Sequence, residues 1–183
     1  MKKFLAGFAA VLLVAGVVIA ADVESGLKVG EEVGAYNVKD ITGPSAGKSL
    51  CYRCSYGARP VINVFTRELN DDVAKLIVQV DKLVGENKDK EMRAFVTVLA
   101  EDADKIAPKL EALAKKNGIK NVPLTIFDGE AGPSNYKISD KADVTVLLWN
   151  KHEVKANVSV AKGGKVDDKV IKSVVAGSEK ILN

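Results

Sequence analysis

The chain has 183 residues, with 27 Lys and Arg against 24 Asp and Glu and a formal net charge of +3. Opposite charges are interspersed, which gives no electrostatic case for nucleic acid or an anionic membrane as a partner. The length suits one domain with a sizeable core.

Met1, Lys2 and Lys3 are followed by a run from Phe4 to Ala21 without a charged or strongly polar side chain. This is the n-region and h-region of an export signal, and Val18-Ile19-Ala20 supplies small residues where a signal peptidase reads. The expectation is a signal peptide over residues 1–20 and a mature domain over 21–183, exported to a periplasm or secreted. Cleavage removes two lysines and no acid, leaving a net charge of +1. The alternative is a retained anchor, because a spanning helix needs about 17–25 apolar residues. Only in that case is the membrane a partner.

Residues 21–49 are Gly-rich and polar, and Val29, Val33, Tyr36, Val38 and Ile41 are placed to form short strands along a domain edge. Gly43-Pro44-Ser45 signals a turn. Gly43 to Ser49 imitates a phosphate-binding loop but has one residue too few between its glycines, and neither a buried strand before it nor a helix after it is evident.

Pro60 to Thr66 is a compact β-branched and aromatic run, a buried strand. From Asn70 the period changes: Val73, Leu76, Ile77, Val80, Leu83 and Val84 mark about four turns of amphipathic helix, closed by Gly85 and Asn87. Ala94 to Ala100 is a second buried strand. Asp102 caps a second helix with Ile106, Leu110, Leu113 and Ala114 as its stripe and Gly118 as its stop. Val122 to Phe127 is a third strand, and residues 128–140 a loop with room for one helical turn. Val144 to Trp149 and Val154 to Val160 form a hairpin around Asn150-Lys151-His152-Glu153, and a helix over Val166–Leu182 ends the chain. This order gives an α/β fold: a central, mostly parallel sheet with right-handed crossovers, flanking helices and an antiparallel C-terminal hairpin.

Several segments resemble the thioredoxin-like superfamily, and most closely its peroxiredoxin-like branch. They are Val29-Gly30, Asp40-Ile41-Thr42-Gly43 with Gly47-Lys48, Pro60 to Phe65, Val122-Pro123-Leu124 through Asp128-Gly129 and Tyr136, and Thr145 to Leu148 with Asn150-Lys151. The resemblance implies a thioredoxin-like fold over Leu27–Leu182. It also implies a reactive cysteine after the first core strand, where a helix start stabilises a thiolate. Here that stretch is Thr66-Arg67-Glu68-Leu69-Asn70, so a peroxiredoxin-type peroxidase is not expected. The proline that faces the active site in the superfamily has two candidate positions, Asp143-Val144 and Val122-Pro123. Arg67 and Glu68 read as a solvated first turn of helix.

The two cysteines, Cys51 and Cys54, enclose Tyr52 and Arg53 in a C-x-x-C spacing that lets an intramolecular disulfide close. Two readings stand. In the first, Cys51 and Cys54 are a catalytic redox pair, Cys51 attacks, Arg53 favours its thiolate, and the partners are protein thiols and disulfides. In the second, the disulfide is structural and the domain is a non-catalytic module that binds a protein partner. Ser55 to Pro60 leaves little room for a helix, which weakens the first. No cofactor is implied. No metal site is expected either, since zinc wants four ligands and the one histidine, His152, reads as an exposed turn residue. Asn157-Val158-Ser159 fits a glycosylation acceptor but falls in a strand.

Overall fold

The structure is a computed structural model that describes residues 23–183; the expected signal segment over residues 1–20 lies outside the described residues. The elements are β1 (Val38–Asp40), β2 (Ser49–Leu50), α1 (Tyr52–Tyr56), β3 (Val61–Thr66), α2 (Asp71–Glu86), β4 (Arg93–Ala100), α3 (Ala103–Asn117), β5 (Leu124–Asp128), a 3-10 turn (Ser134–Tyr136), β6 (Ala142–Asn150), β7 (Glu153–Ala161) and α4 (Asp168–Leu182). One seven-stranded sheet runs in the order β2-β1-β5-β4-β3-β6-β7. β3, β4 and β5 are parallel, and antiparallel strands flank them on both sides. No helix among the described residues is long and apolar enough to cross a membrane.

The two-residue period of a strand sends alternate side chains to opposite faces. Ile62 and Val64 of β3, Ala94, Val96 and Val98 of β4, and Val144, Val146 and Leu148 of β6 pack against α2, α3 and α4. Val61 and Phe65, with Phe95, Leu99, Leu147 and Trp149, line the other face. Both faces are covered, so every residue of β3 is buried.

The second face carries no long helix. Leu27, Val33 and Tyr36 of the N-terminal segment, Tyr52 and Tyr56 of α1, and Phe127 and Tyr136 of the following loop cover it. Tyr36 stacks on Phe65 and meets Tyr136 edge-on, and Tyr52 stacks on Phe95. Such aromatic cover hides a polar trio: Asn63 Nδ2 donates to Tyr36 Oη, which lies 2.9 Å from Thr97 Oγ1, and Thr97 closes the ring onto Asn63 Oδ1 at 3.3 Å. The trio satisfies its own polar atoms inside the core. Burial raises the Tyr36 phenol well above its usual range.

Helix boundaries follow local chemistry. Asn70 and Asp102 accept N–H groups of the first turns of α2 and α3, and Gly118 ends α3 in the left-handed conformation. Of the expected stripe of α3, Leu110 alone is fully buried. The hairpin turn is Lys151-His152, both with positive φ, the geometry a two-residue connection requires. His152 departs from its expected exposure: it is half-buried, and its Nε2 is enclosed without a hydrogen-bond partner among the described residues. Its carbonyl accepts Val33 N, and Lys151 N donates to Ala58 O, so the hairpin tip buttresses the segments on either side of α1.

The strands expected before residue 49 are fewer than the apolar residues there. Val38 lies in β1, whereas Val33 and Tyr36 cover the core from irregular backbone and Val29 is exposed.

Candidate functional site

Cys51 and Cys54 form a disulfide with Cα atoms 5.2 Å apart. Cys51 is the N-cap of α1: its backbone is extended, and its Sγ accepts the N–H of Cys54 at 3.1 Å. Ser55 N and Oγ both bond to Cys51 O, which closes the turn. Cys54 is exposed and Cys51 half-buried. A five-residue helix, α1, nevertheless forms where the sequence leaves little room for one, and it starts within the C-x-x-C pair. Tertiary packing produces this turn, since Tyr52 is 3% exposed and packs with Tyr56 against Phe95.

Polar contacts lock the turn from below. The buried Asp40 carboxylate accepts Tyr52 Oη, Gly43 N and Ser45 N, each at 2.8 Å. The loop that imitates a phosphate-binding loop therefore spends two of its N–H groups on a carboxylate of the chain itself. Burial, then the hydrogen bond to Asp40, pushes the Tyr52 phenol far up, which keeps it a donor. Tyr56 Oη donates to Ala94 O, and Arg53 Nε donates to Val33 O at 3.1 Å. Arg53 thus ties α1 to the N-terminal segment, a structural contact its C-x-x-C position does not reveal.

Gly43 sits against this lock. A Cβ there would lie 2.4 Å from Tyr52 Oη and 2.6 Å from Asp40 Oδ2. Gly43→Ala is expected to cost about 1–3 kcal/mol, as overpacking a fixed site does. Urea unfolding measures it, and an unchanged midpoint would show that the loop yields freely.

The corner after β3 is a different place. The disulfide turn follows β2, the outermost strand, which β1, β5 and β4 separate from β3, and the corner lies at the C-terminal end of β3. At that end stands Arg67, and the structure corrects its reading as a solvated residue. Its guanidinium donates to Glu130 O at 2.7 Å, to Ser139 O at 3.1 Å and to Ala142 O, while its backbone N–H bonds to Asp143 O. Val144 pairs directly with Thr66, which places Asp143-Val144 at this corner. Pro123 lies elsewhere, its carbonyl accepting Val96 N at the start of β5. Of the two candidate positions, Asp143-Val144 is therefore the one beside the end of β3, and Asp143 Oδ2 accepts Gly163 N there.

The sequon also has a structural use. Asn157 Nδ2 donates to Ser25 O and Leu27 O, and Ser159 Oγ to Ser25 O, which fastens the N-terminal segment onto β7.

With strand order, crossovers and hairpin in place, the architecture is thioredoxin-like. It matches the solution structure of a protein from Bacteroides thetaiotaomicron provisionally assigned as a disulfide isomerase, with a TM-score of 0.65 and 16% identity over 86% of this chain and 92% of that one. It matches the thioredoxin domain of a thiol-disulfide oxidoreductase from Bacteroides vulgatus, with a TM-score of 0.54 and 13% identity over 86% and 99%. It also matches the peroxidoxin BcpB of Mycobacterium tuberculosis, with a TM-score of 0.55 and 16% identity over 82% and 97%. Comparison with protein-family profiles and with curated proteins finds no match. The chain has the thioredoxin-like fold, with a local Cys51–Cys54 disulfide placed before the first core strand and an arginine in the corner after it.

Proposed function

We propose that the chain is an exported thioredoxin-like protein that exchanges disulfides with protein thiols through Cys51 and Cys54. The observation that carries this reading is the disulfide itself: it closes across one turn with Cys54 exposed, and the sulfur of Cys51 accepts a backbone N–H. The bond spans three residues and so removes little chain entropy. Cys51 is the attacking member, and Cys54 resolves the mixed disulfide. In the oxidising direction a substrate thiolate attacks Cys51 Sγ, the bond to Cys54 breaks, and Cys54 leaves as a thiolate. A second substrate thiolate then displaces Cys51, so two electrons pass to the pair. The charge-free run after Lys3 supports export, where the disulfide form persists.

A specific observation favours a second reading, a binding module with a structural disulfide. Tyr52 is fixed by Asp40 and by Phe95, so the turn is braced from within. The reduction potential separates the two. Equilibration with glutathione buffers, read by alkylation and mass spectrometry, is expected to give a value between about −120 and −270 mV, the range of oxidoreductases. A value below about −300 mV would leave only the structural reading.

A further inference from the structure

Cys51 stands between two segments that the same residue holds. On the chain before it, Asp40 N donates to Lys48 O at 2.9 Å and Gly47 N to Asp40 O at 2.8 Å, and β2 then leads directly into Cys51. On the chain after it, Tyr52 Oη donates to Asp40 Oδ2 at 2.8 Å. Asp40 is fully buried, and Gly43 N and Ser45 N complete the shell of its carboxylate. Three donors thus face two acceptor oxygens, and neither oxygen carries a proton. A Cβ at Gly43 would meet both the Tyr52 hydroxyl and the carboxylate, so this bond is closely enclosed. The ring of Tyr52 is held as well, stacked on Phe95 with centroids 5.3 Å apart.

Tyr52 is also one of the two residues inside C-x-x-C. Its backbone joins the sulfur of Cys51 to the Cys54 N–H that this sulfur accepts at 3.1 Å. In the oxidised protein the bond between Cys51 and Cys54 keeps these two groups together. Once that bond opens, the N–H stays on the sulfur only if the turn is held from elsewhere. We propose that Asp40 is a positioning residue for the exchange reaction: through Tyr52 it keeps the N–H of Cys54 directed at the sulfur of Cys51 while the pair is reduced. The inference rests on the redox reading above. Asp40 acts here through geometry, since its negative charge by itself would disfavour a thiolate.

The test uses the full-length protein carrying Cys54→Ser, which leaves one thiol and keeps the backbone N–H of residue 54. Alkylation of Cys51 by iodoacetamide is followed across pH, in the folded protein and in urea. The folded parent is expected to react faster near neutral pH than the same chain in urea. Adding Tyr52→Phe keeps an aromatic ring against Phe95 and the charge on Asp40 but removes the bond between them. It is expected to slow alkylation near neutral pH roughly fivefold, because a charged acceptor loses a fixed donor. At alkaline pH the two curves should meet or cross, since the more basic thiolate is the better nucleophile. Asp40→Asn, which alters the same bond from its other end, gives a second comparison and is expected to act in the same direction, with folding of each variant checked by circular dichroism. Superimposable curves, or a slowing by the same factor at every pH, would overturn the positioning role and leave the redox reading intact. Faster alkylation of the Asp40→Asn variant near neutral pH would do the same, because the carboxylate would then act by its charge. A parent that reacts no faster folded than in urea would overturn both.

Discussion

Arg67→Ala is expected to destabilise the protein by about 3 kcal/mol and to lower its melting temperature by roughly 6–12 °C. One guanidinium serves two carbonyls of the segment between β5 and β6 and that of Ala142 at the start of β6, and hydrogen bonds to a charged donor each contribute about 1.5–3 kcal/mol. The sum is not realised, because water replaces part of what a half-buried arginine gave. The temperature shift follows from about 2–4 °C per kcal/mol in a chain of this size. Arg67→Lys should recover less than half of the loss, since one ammonium cannot reproduce a planar fork of donors. Thermal and urea unfolding of both variants are the measurements, with amide exchange over residues 130–142 as a local readout. A loss below about 0.5 kcal/mol, or full rescue by lysine, would show that the corner is held by packing alone.

That expectation also marks where sequence reading reaches its limit. The long elements were legible because each carries its signal within a few residues: Val73 to Val84 at helical spacing, Asn70 and Asp102 as caps, Gly118 as a stop, and the β-branched runs at Val61 and Ala94. Boundaries differ by a residue or two at β5, β6 and α4, although Asp167 caps the last of these. Arg67 was misread because its partners come from more than sixty residues further on, and no local pattern announces them. The same holds for α1. Five residues are too few for a period, and the turn exists because two tyrosines find Phe95 across the sheet. The Asp40 lock left a faint trace, an aspartate three residues before a glycine, which is the spacing of a side chain that accepts a turn N–H.

The sheet is also more mixed than alternating strands and helices imply. Its parallel part is limited to β3, β4 and β5, since the hairpin inserts beside β3 and β1 adds antiparallel to β5. This arrangement separates the two places that matter. The corner after β3 is tied into the loop beneath it by Arg67, and the Cys51–Cys54 disulfide follows β2, the outermost strand, on the far side of β1, β5 and β4.

The sharpest consequence concerns the two sulfurs, for which exposure and hydrogen bonding point in different directions. Cys54 is the more exposed residue, whereas Cys51 Sγ accepts the N–H of Cys54. A thiolate gains more from a fixed donor than from water contact, because the donor stabilises the charged form directly. Cys51→Ser is therefore expected to abolish mixed-disulfide formation with oxidised glutathione near neutral pH, a loss of at least tenfold. Cys54→Ser should retain the first step and accumulate a stable adduct on Cys51, since the resolving thiol is gone. Arg53→Ala should slow alkylation of the reduced protein about two- to fivefold, as loss of a nearby positive charge raises a thiol pKa. The guanidinium is held beside the turn by Val33 O. Adduct formation followed by mass spectrometry on each single variant decides the matter. Equal rates for the two serine variants would remove the assigned order of attack. A faster reaction at Cys54 would reverse it and make Cys51 the resolving residue.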